Sequence, residues 1–248
     1  MVRQRTMSAR KSVSVVIGVV GVLAAVLTFV PMSFESSATT DAPAAAQRSA
    51  TDDQRPTLVV VGDSLSAGYG LADVADGWVA LLQSRLDELD YGIRVVNASI
   101  SGDTTQGGAA RLPAALQAHA PSVVVIELGG NDGLRGIAID VTRRNLQSMV
   151  NAAEGSGAKV AMLGMRIPPN YGQRYKEQFE ATFREIADEN ALPMAPVFLA
   201  GVALDPNLMQ SDGIHPNAEA QPDMLERAWP VIRDAIEQAG VSPESRSE

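Results

Sequence analysis

The sequence contains no cysteine among its 248 residues. A disulfide framework, a thiolate nucleophile and a cysteine-ligated metal site are therefore excluded, and so is a lipoprotein anchor, which needs an N-terminal cysteine. Histidine is almost as scarce, because the chain has only two. Any chemistry that requires an imidazole must use one of these two side chains.

Positive charge is also in short supply. The chain has 20 Lys and Arg against 29 Asp and Glu, a formal net charge of −9, and a sequence pI of about 4.8. An acidic chain is repelled by a phosphate backbone, so no nucleic-acid partner is expected. The length and the 46% hydrophobic content suit one α/β domain with a full core.

The N-terminal region is predicted to be a targeting segment outside the fold. Four basic residues precede Val13–Val30, a run of eighteen residues without a charge. This layout is typical of a secretory signal, and the run is also just long enough for a retained membrane anchor. Either outcome places the rest of the chain outside the cytoplasm, as a periplasmic or secreted protein or one tethered to the inner membrane by residues 13–30.

Composition divides the chain into four segments. Residues 1–32 are predicted to be the signal peptide or N-terminal anchor, and residues 33–55, rich in Ser, Thr, Ala, Asp and Gln, a disordered linker. Residues 56–240 are predicted to form the folded domain, and residues 241–248 a flexible C-terminal tail.

Short β-branched runs alternate with amphipathic stretches throughout the predicted domain. The predicted strands are Leu58–Val61, Ile93–Val96, Val123–Glu127 and Lys159–Leu163, with a weaker one near Pro196–Phe198. The predicted helices are Trp78–Leu89, Gly107–His119, Asp140–Glu154, Arg174–Asn190 and Ala218–Ala239. This alternation predicts βαβ units, and the nearly uninterrupted apolar strands indicate a parallel sheet with helices on both faces.

Polar sequences follow the ends of the predicted strands. The first strand is followed by "GDSL", the second by "NASISGDTTQGG", the third by "ELGGNDGLRG", and the last by "SDGIHPN" about a dozen residues later. In an open α/β sheet, ligands bind beyond the carboxyl ends of the strands. The sequence therefore predicts a functional site at that edge.

Ser64 is a candidate nucleophile that needs a base. A serine hydroxyl becomes reactive when an imidazole, oriented by a carboxylate, removes its proton. His119 ends a predicted helix. The helix dipole favours a histidine at that end, so its presence there needs no further function. His215 follows Asp212 by three residues, a spacing at which the carboxylate could orient the ring. A helix-capping Asp beside a surface His is an open alternative for this pair.

Three groups are candidates to stabilise a developing oxyanion. They are the backbone amides of Ser64 and Gly102 and the side-chain amide of Asn131. Glycine lets the backbone approach a ligand closely, and an Asn side chain donates without titrating. Taken singly, Gly102 could instead be a turn glycine, and Asn131 could cap a helix.

The stretches that carry these residues resemble, in their order, the SGNH (GDSL-type) hydrolase family. The similarity is closest to its bacterial periplasmic branch of acyl-CoA thioesterase I, lysophospholipase and arylesterase. It extends over roughly residues 57–229 and rests on "GDSLSAGYG", "NASISGDTTQGGAARL", "ELGGNDGLRG", "NYGQRY" and "DGIHPNAEAQP". Four of these stretches carry Ser64, Gly102, Asn131 and the Asp212–His215 pair in the family's order, which is far more specific than any one triplet.

The resemblance implies both a fold and a set of roles. The fold is a three-layer α/β/α sandwich of flavodoxin type, whose parallel five-stranded sheet has the order 2-1-3-4-5. Ser64 would be the nucleophile, His215 the general base and acid, and Asp212 its orienting partner. Ser64, Gly102 and Asn131 would form the oxyanion hole. The loop that carries His215 must cross back over the sheet to reach Ser64.

The resemblance further implies a serine esterase that hydrolyses carboxylic esters or thioesters through an acyl-enzyme, without a metal or other cofactor. Acyl-CoA is scarce outside the cytoplasm, so carboxylic esters and lysophospholipids are the expected small-molecule substrates there. Acyl transfer to an alcohol or sugar, and carbohydrate deacetylation, are the nearest alternatives because they use the same chemistry.

Two alternatives come from other classes of protein. A metallophosphoesterase could use Asp63, Asn131, Asp132 and His215 as metal ligands. A non-catalytic envelope binding protein could keep the fold with a decayed site. If the chain is a serine hydrolase, Asp63 is instead expected to fix the turn before Ser64, and Asp132 to brace or cap its loop.

Overall fold

The computed structural model of the protein describes residues 55–244. The predicted signal or anchor, residues 33–54 of the predicted linker and residues 245–248 of the predicted tail lie outside this range, so the four segment boundaries stay predictions. The possible tether at residues 13–30 lies outside it too. Within residues 55–244, no helix combines the length and apolar character that crossing a bilayer requires.

The described residues form one five-stranded sheet in which all paired strands are parallel. Its strands are β1 (Thr57–Gly62), β2 (Arg94–Asn97), β3 (Val123–Glu127), β4 (Lys159–Leu163) and β5 (Met194–Ala195). They lie in the order β2-β1-β3-β4-β5. This confirms the α/β class and the predicted strand order.

The central strands are buried on both faces. All of β1 and β3 is buried, and four consecutive apolar residues of β1, Leu58 to Val61, have no exposed surface. Side chains alternate between the two faces of a strand, so continuous burial requires a cover on each side. The nearly uninterrupted apolar sequence of these strands is the direct consequence.

Two groups of helices flank the sheet. The helices are α1 (Ser64–Ala67), α2 (Trp78–Glu88), α3 (Thr105–His119), α4 (Gly130–Leu134), α5 (Ile139–Gly155), α6 (Gln173–Asn190) and α7 (Gln221–Gln238). Helix α2 packs against α7, whereas α3 packs against α5, and α5 against α6. The arrangement confirms the predicted three-layer sandwich.

The fifth strand, predicted near Pro196–Phe198, begins two residues earlier in the chain. The strand is β5, and Pro196 lies just beyond it. Proline has no N–H to donate to a ladder, so it ends the pairing. Phe198 is fully buried in the core rather than paired in the sheet. Its ring centroid lies 5.3 Å from that of Trp78, and the two rings meet edge-on.

The last predicted helix, Ala218–Ala239, also differs at its start. Its first three residues, Ala218–Ala220, form a 3₁₀ turn, and the α-helix begins at Gln221. Proline at position 222 is compatible with this start, because the first turn of a helix needs no N–H donors.

Gly108 in α3 tests the packing between helix and sheet. A Cβ there would lie 2.2 Å from Leu128 Cδ1 and 3.0 Å from the Met149 sulfur. Gly108→Ala is therefore expected to lower the free energy of unfolding by about 1–3 kcal/mol, because overpacking displaces neighbouring side chains. Chemical denaturation measures the change.

Gly155→Ala, at the end of α5, is the matched control. Nothing lies within 4 Å of its Cβ position, so this change is expected to be neutral or to stabilise by up to about 1 kcal/mol. Equal unfolding midpoints for the two variants would contradict the packing of α3.

Candidate active site

Four loops bring the predicted site residues to the carboxyl edge of the sheet. Ser64 follows β1 directly, Gly102 lies between β2 and α3, and Asn131 lies in α4 just after β3. The fourth loop carries Asp212 and His215 and precedes α7. Because β2, β1 and β3 are neighbours in the sheet, the first three loops are adjacent.

Ser64 is the first residue of α1 and is partly exposed. Asp63 caps this short helix, since its Oδ1 accepts a hydrogen bond from the Leu65 N–H at 3.1 Å. Asp63 thus fixes the turn, as the sequence predicted. The cap starts the helix immediately after the strand, which holds the serine hydroxyl at the sheet edge.

Gly62 is required here by space rather than by backbone conformation. A Cβ at this position would lie 2.5 Å from Glu127 Oε2 and 2.6 Å from Ser66 Oγ. Those two atoms are hydrogen-bonded to each other at 2.5 Å. The glycine of Gly-Asp-Ser therefore follows from the close approach of a buried side chain on β3 to the end of β1.

His215 contacts both Ser64 and Asp212. Its Nε2 lies 2.9 Å from Ser64 Oγ, and its Nδ1 lies 2.6 Å from Asp212 Oδ2. The loop thus reaches back to Ser64, the predicted nucleophile, and the Asp-His pair is not an isolated surface cap. With the proton on Nδ1 donated to Asp212, Nε2 is free to accept the serine proton.

Asp212 is held in its ionised form. The hydrogen bond from the His215 side chain, followed by bonds from the backbone N–H groups of His215 and Ile214, lowers the pKa of Asp212 to about 2. The carboxylate therefore keeps its negative charge at any physiological pH. It can both orient the ring and stabilise a positive charge on it.

Gln210 ties the His215 loop to the segment after α1. Its Nε2 donates to the Tyr69 carbonyl at 2.8 Å and to the Pro216 carbonyl at 2.9 Å, while its backbone N–H donates to the His215 carbonyl at 2.8 Å. The Tyr69 ring packs 4.6 Å from the His215 ring. Sequence reasoning missed both residues, because nothing local marks their partners.

The side chain of Arg135 links Gly102 and Asn131. Gly102 has a φ of +79°, a conformation that favours glycine. The Arg135 Nη2 donates to the Gly102 carbonyl at 2.9 Å and to Asn131 Oδ1 at 3.4 Å. Asn131 Nδ2 in turn donates to Asp63 Oδ2 at 3.0 Å. Arg135 is a third residue that the sequence did not single out.

Asp132 points away from this group. It accepts hydrogen bonds from the Thr105 N–H at 2.9 Å and the Thr105 hydroxyl at 2.5 Å, and its partner on α5 is Thr142. It braces the loop, as expected of a structural carboxylate. No cluster of three or more His, Asp and Glu among residues 55–244 is arranged to hold a metal ion, so the alternative ligand set is not assembled.

Two carboxyl groups lie buried beneath Ser64. Burial raises the pKa of Asp63 to about 6, and burial together with the nearby Asp63 charge raises the pKa of Glu127 well above its usual value. Glu127 Oε2 accepts from the Asp63 N–H at 3.3 Å and from the Ser66 hydroxyl. The signal for Glu127 in the sequence was a lone acid at the end of an apolar strand.

His119 has no part in the site. It is the last residue of α3, as predicted. No hydrogen bond or ring contact within the described part of the chain joins it to Ser64 or to the residues around it.

The chain is similar to known esterases. The sequence model of the GDSL-like Lipase/Acylhydrolase family matches residues 60–221, a range that contains every predicted site residue. The chain is 54% identical over 180 residues to Esterase TesA of Pseudomonas aeruginosa, covering 73% of this chain and 89% of that protein. It is 48% identical over 166 residues to Thioesterase 1/protease 1/lysophospholipase L1 of Escherichia coli (strain K12), covering 67% and 78%.

The fold is also similar to a crystal structure of the psychrotrophic esterase EstA from Pseudoalteromonas sp., inhibited by monoethylphosphonate. The TM-score is 0.69 at 39% identity, and the match covers 73% of this chain and 98% of that one.

Buried Asp63 is expected to make stability depend on pH. Because its pKa is raised from 3.8 to about 6, its stabilising contribution is full below 3.8 and is lost as the pH rises through about 6. Between about pH 4 and pH 7, the free energy of unfolding should fall by roughly 2–3 kcal/mol more in the wild type than in Asp63→Asn, since one pKa unit is worth about 1.4 kcal/mol. Denaturant titrations across this range measure both proteins, and parallel curves would contradict the prediction.

Proposed function

We propose a mechanism for this chain that starts from its family. The chain belongs to the GDSL-like lipase/acylhydrolase family and is a serine hydrolase of ester bonds. The observation that carries the proposal is the continuous contact from Ser64 Oγ through the His215 ring to Asp212. It supports Ser64 as the nucleophile, His215 as the general base and acid, and Asp212 as the residue that orients the ring.

Acylation begins when His215 Nε2 removes the proton of Ser64. The serine oxygen then attacks the carbonyl carbon of the ester and forms a tetrahedral intermediate. The imidazole becomes positively charged in this step, and Asp212, ionised because its pKa is about 2, stabilises that charge. The proton held on Nε2 is next given to the leaving alcohol or thiol as the bond to the carbonyl carbon breaks.

The negative charge on the tetrahedral oxygen needs donors that are already in place. We assign this role to the backbone N–H groups of Ser64 and Gly102 and to the side-chain amide of Asn131. Loss of one such donor commonly costs about 10²–10³ in kcat. Water, activated by the same histidine, releases the acid and restores Ser64. In this series of steps, His215 takes protons from Ser64 and from water and gives them to the leaving group and back to Ser64.

Exposed apolar side chains on the site loops support an acyl chain as the group that is recognised. Tyr69, Ile100, Leu134 and Ile214 are all large and exposed. Each lies in a connecting segment that carries a proposed site residue, with Leu134 at the end of α4, and Ile214 adjoins His215. Exposed apolar groups on the segments that form one site commonly mark a binding surface.

We therefore propose carboxylic esters with apolar acyl chains, lysophospholipids among them, as the substrates, and acyl thioesters as further substrates. The name of the Escherichia coli relative, which covers thioesterase and lysophospholipase activities, supports this range. The basic residues followed by the apolar run at 13–30 support an extracytoplasmic location. Whether the enzyme is released or tethered depends on cleavage of residues 1–32.

Ser64→Ala tests the nucleophile. Turnover of p-nitrophenyl butyrate is expected to fall at least about 10³-fold, because no other group replaces the serine oxygen. A fluorophosphonate probe should label wild-type Ser64 and leave the variant unlabelled, with an unchanged circular dichroism spectrum. Ser84→Ala, which alters an exposed serine of α2, is the control and should keep full activity. Retained turnover in Ser64→Ala would overturn the assignment.

Ile214→Ser tests the apolar surface beside His215. The ratio of kcat/KM for an octanoyl ester to that for an acetyl ester is expected to fall about three- to tenfold, since less apolar area is buried against the longer chain. Leu89→Ser is the matched control, because Leu89 is similarly exposed, at 45% against 51%, and follows the far end of α2. An equal ratio in all three proteins would argue against this surface.

A further inference from the structure

The side-chain amide of Asn131 lies between two opposite charges. Its Nδ2 donates to Asp63 Oδ2 at 3.0 Å, and its Oδ1 accepts from Arg135 Nη2 at 3.4 Å. The same Arg135 nitrogen donates to the carbonyl of Gly102 at 2.9 Å. One carboxylate and one guanidinium thus contact the two ends of one amide.

These contacts select one of the two orientations of the amide. An ionised carboxylate only accepts hydrogen bonds, and a guanidinium only donates them. If the amide were flipped, its oxygen would face the Asp63 carboxylate and its NH₂ group would face Arg135, so both bonds would be lost. The observed orientation uses one hydrogen of the NH₂ group and leaves the other available for a substrate oxygen.

We propose that Asp63 and Arg135 are positioning residues that hold the Asn131 amide with its NH₂ group ready to donate to the oxyanion. Their part in the reaction corresponds to that of Asp212, which holds the His215 ring. The inference rests on the proposed role of Asn131 as an oxyanion donor. The Asp63 carboxylate would then have two roles. It stabilises the turn before Ser64, and it also orients the Asn131 amide.

Asp63 is itself fixed by its surroundings. It is only 2% exposed, and its Oδ1 is occupied by the N–H of Leu65. Its Oδ2 is therefore the oxygen that faces Asn131. Because Asp63 precedes Ser64 in the chain, one buried carboxylate links the nucleophile turn to the oxyanion donor.

Arg135 follows Asn131 by four residues, a spacing at which side chains near a helix lie on the same side. Through Gly102 it also connects the loop after β2 to α4, so two of the three segments that supply oxyanion donors share one partner. Arg135 is exposed and its contact with Asn131 is the longer of the two. Its effect should therefore be smaller than that of Asp63.

The test is a pair of double-mutant cycles on kcat. The assay uses an uncharged aryl ester at a pH above the Asp63 pKa of about 6. Arg135→Met is expected to lower kcat about five- to twentyfold with little change in KM, because Asp63 alone then holds the amide and its second N–H is aimed less well at the oxyanion. In the Asn131→Ala background the same change should cost less than about twofold, since coupling is confined to residues that act through one another.

Asp63→Asn completes the test on the other side of the amide. An Asn at position 63 has one accepting oxygen, so it cannot satisfy both Leu65 and Asn131. Its cost in kcat is expected to be at least about fivefold smaller in the Asn131→Ala background than in the wild type. The part that remains there measures its effect through the serine turn.

Arg144→Met is the control for charge. Arg144 lies on α5, where it pairs with exposed Asp140, so its removal changes the net charge equally without touching the site and should leave kcat unchanged. Equal costs of Arg135→Met in both backgrounds would overturn the inference while leaving the role of Asn131 intact. An Asn131→Ala variant with wild-type kcat would overturn both.

Discussion

The parallel pairing of β1 with β3 is the constraint on which the site depends. The register sets Gly62 opposite Glu127, so the carboxyl ends of the two strands stop side by side. Glu127 then accepts hydrogen bonds from the turn that presents Ser64, and α4 begins close enough for Asn131 to reach Asp63. A shift of one residue would turn Glu127 to the other face of the sheet and remove these contacts.

Three carboxyl groups around Ser64 differ because their surroundings differ. Asp212 is exposed and receives three hydrogen bonds, which hold its pKa near 2. Asp63 is buried, and its pKa rises to about 6. Glu127 is fully buried beside Asp63, and its burial and the nearby Asp63 charge raise its pKa well above its usual value. The exposed carboxylate faces His215, which we propose gains charge during the reaction, while the buried pair holds the turn beneath the serine.

Much of the fold could be predicted from local patterns. Strands β3 and β4 have the predicted bounds, because a strand buried on both faces is a continuous apolar run with polar ends. The prediction failed at β5, where the apolar Phe198 packs in the core rather than in the ladder. An apolar side chain in the sequence indicates that the residue is buried. It does not indicate whether the backbone of that residue is paired in a sheet.

The sequence by itself determined the α/β class, and its ordered motifs indicated Ser64, Gly102, Asn131, Asp212 and His215, because family motifs are local in the chain. Only the tertiary structure decided that Glu127 excludes a side chain at position 62, that Gln210 holds the His215 loop, and that Arg135 bridges Gly102 and Asn131. The physical reason is that these contacts join residues from different loops. Their partners are neighbours in space through the strand order, which no single segment of the sequence encodes.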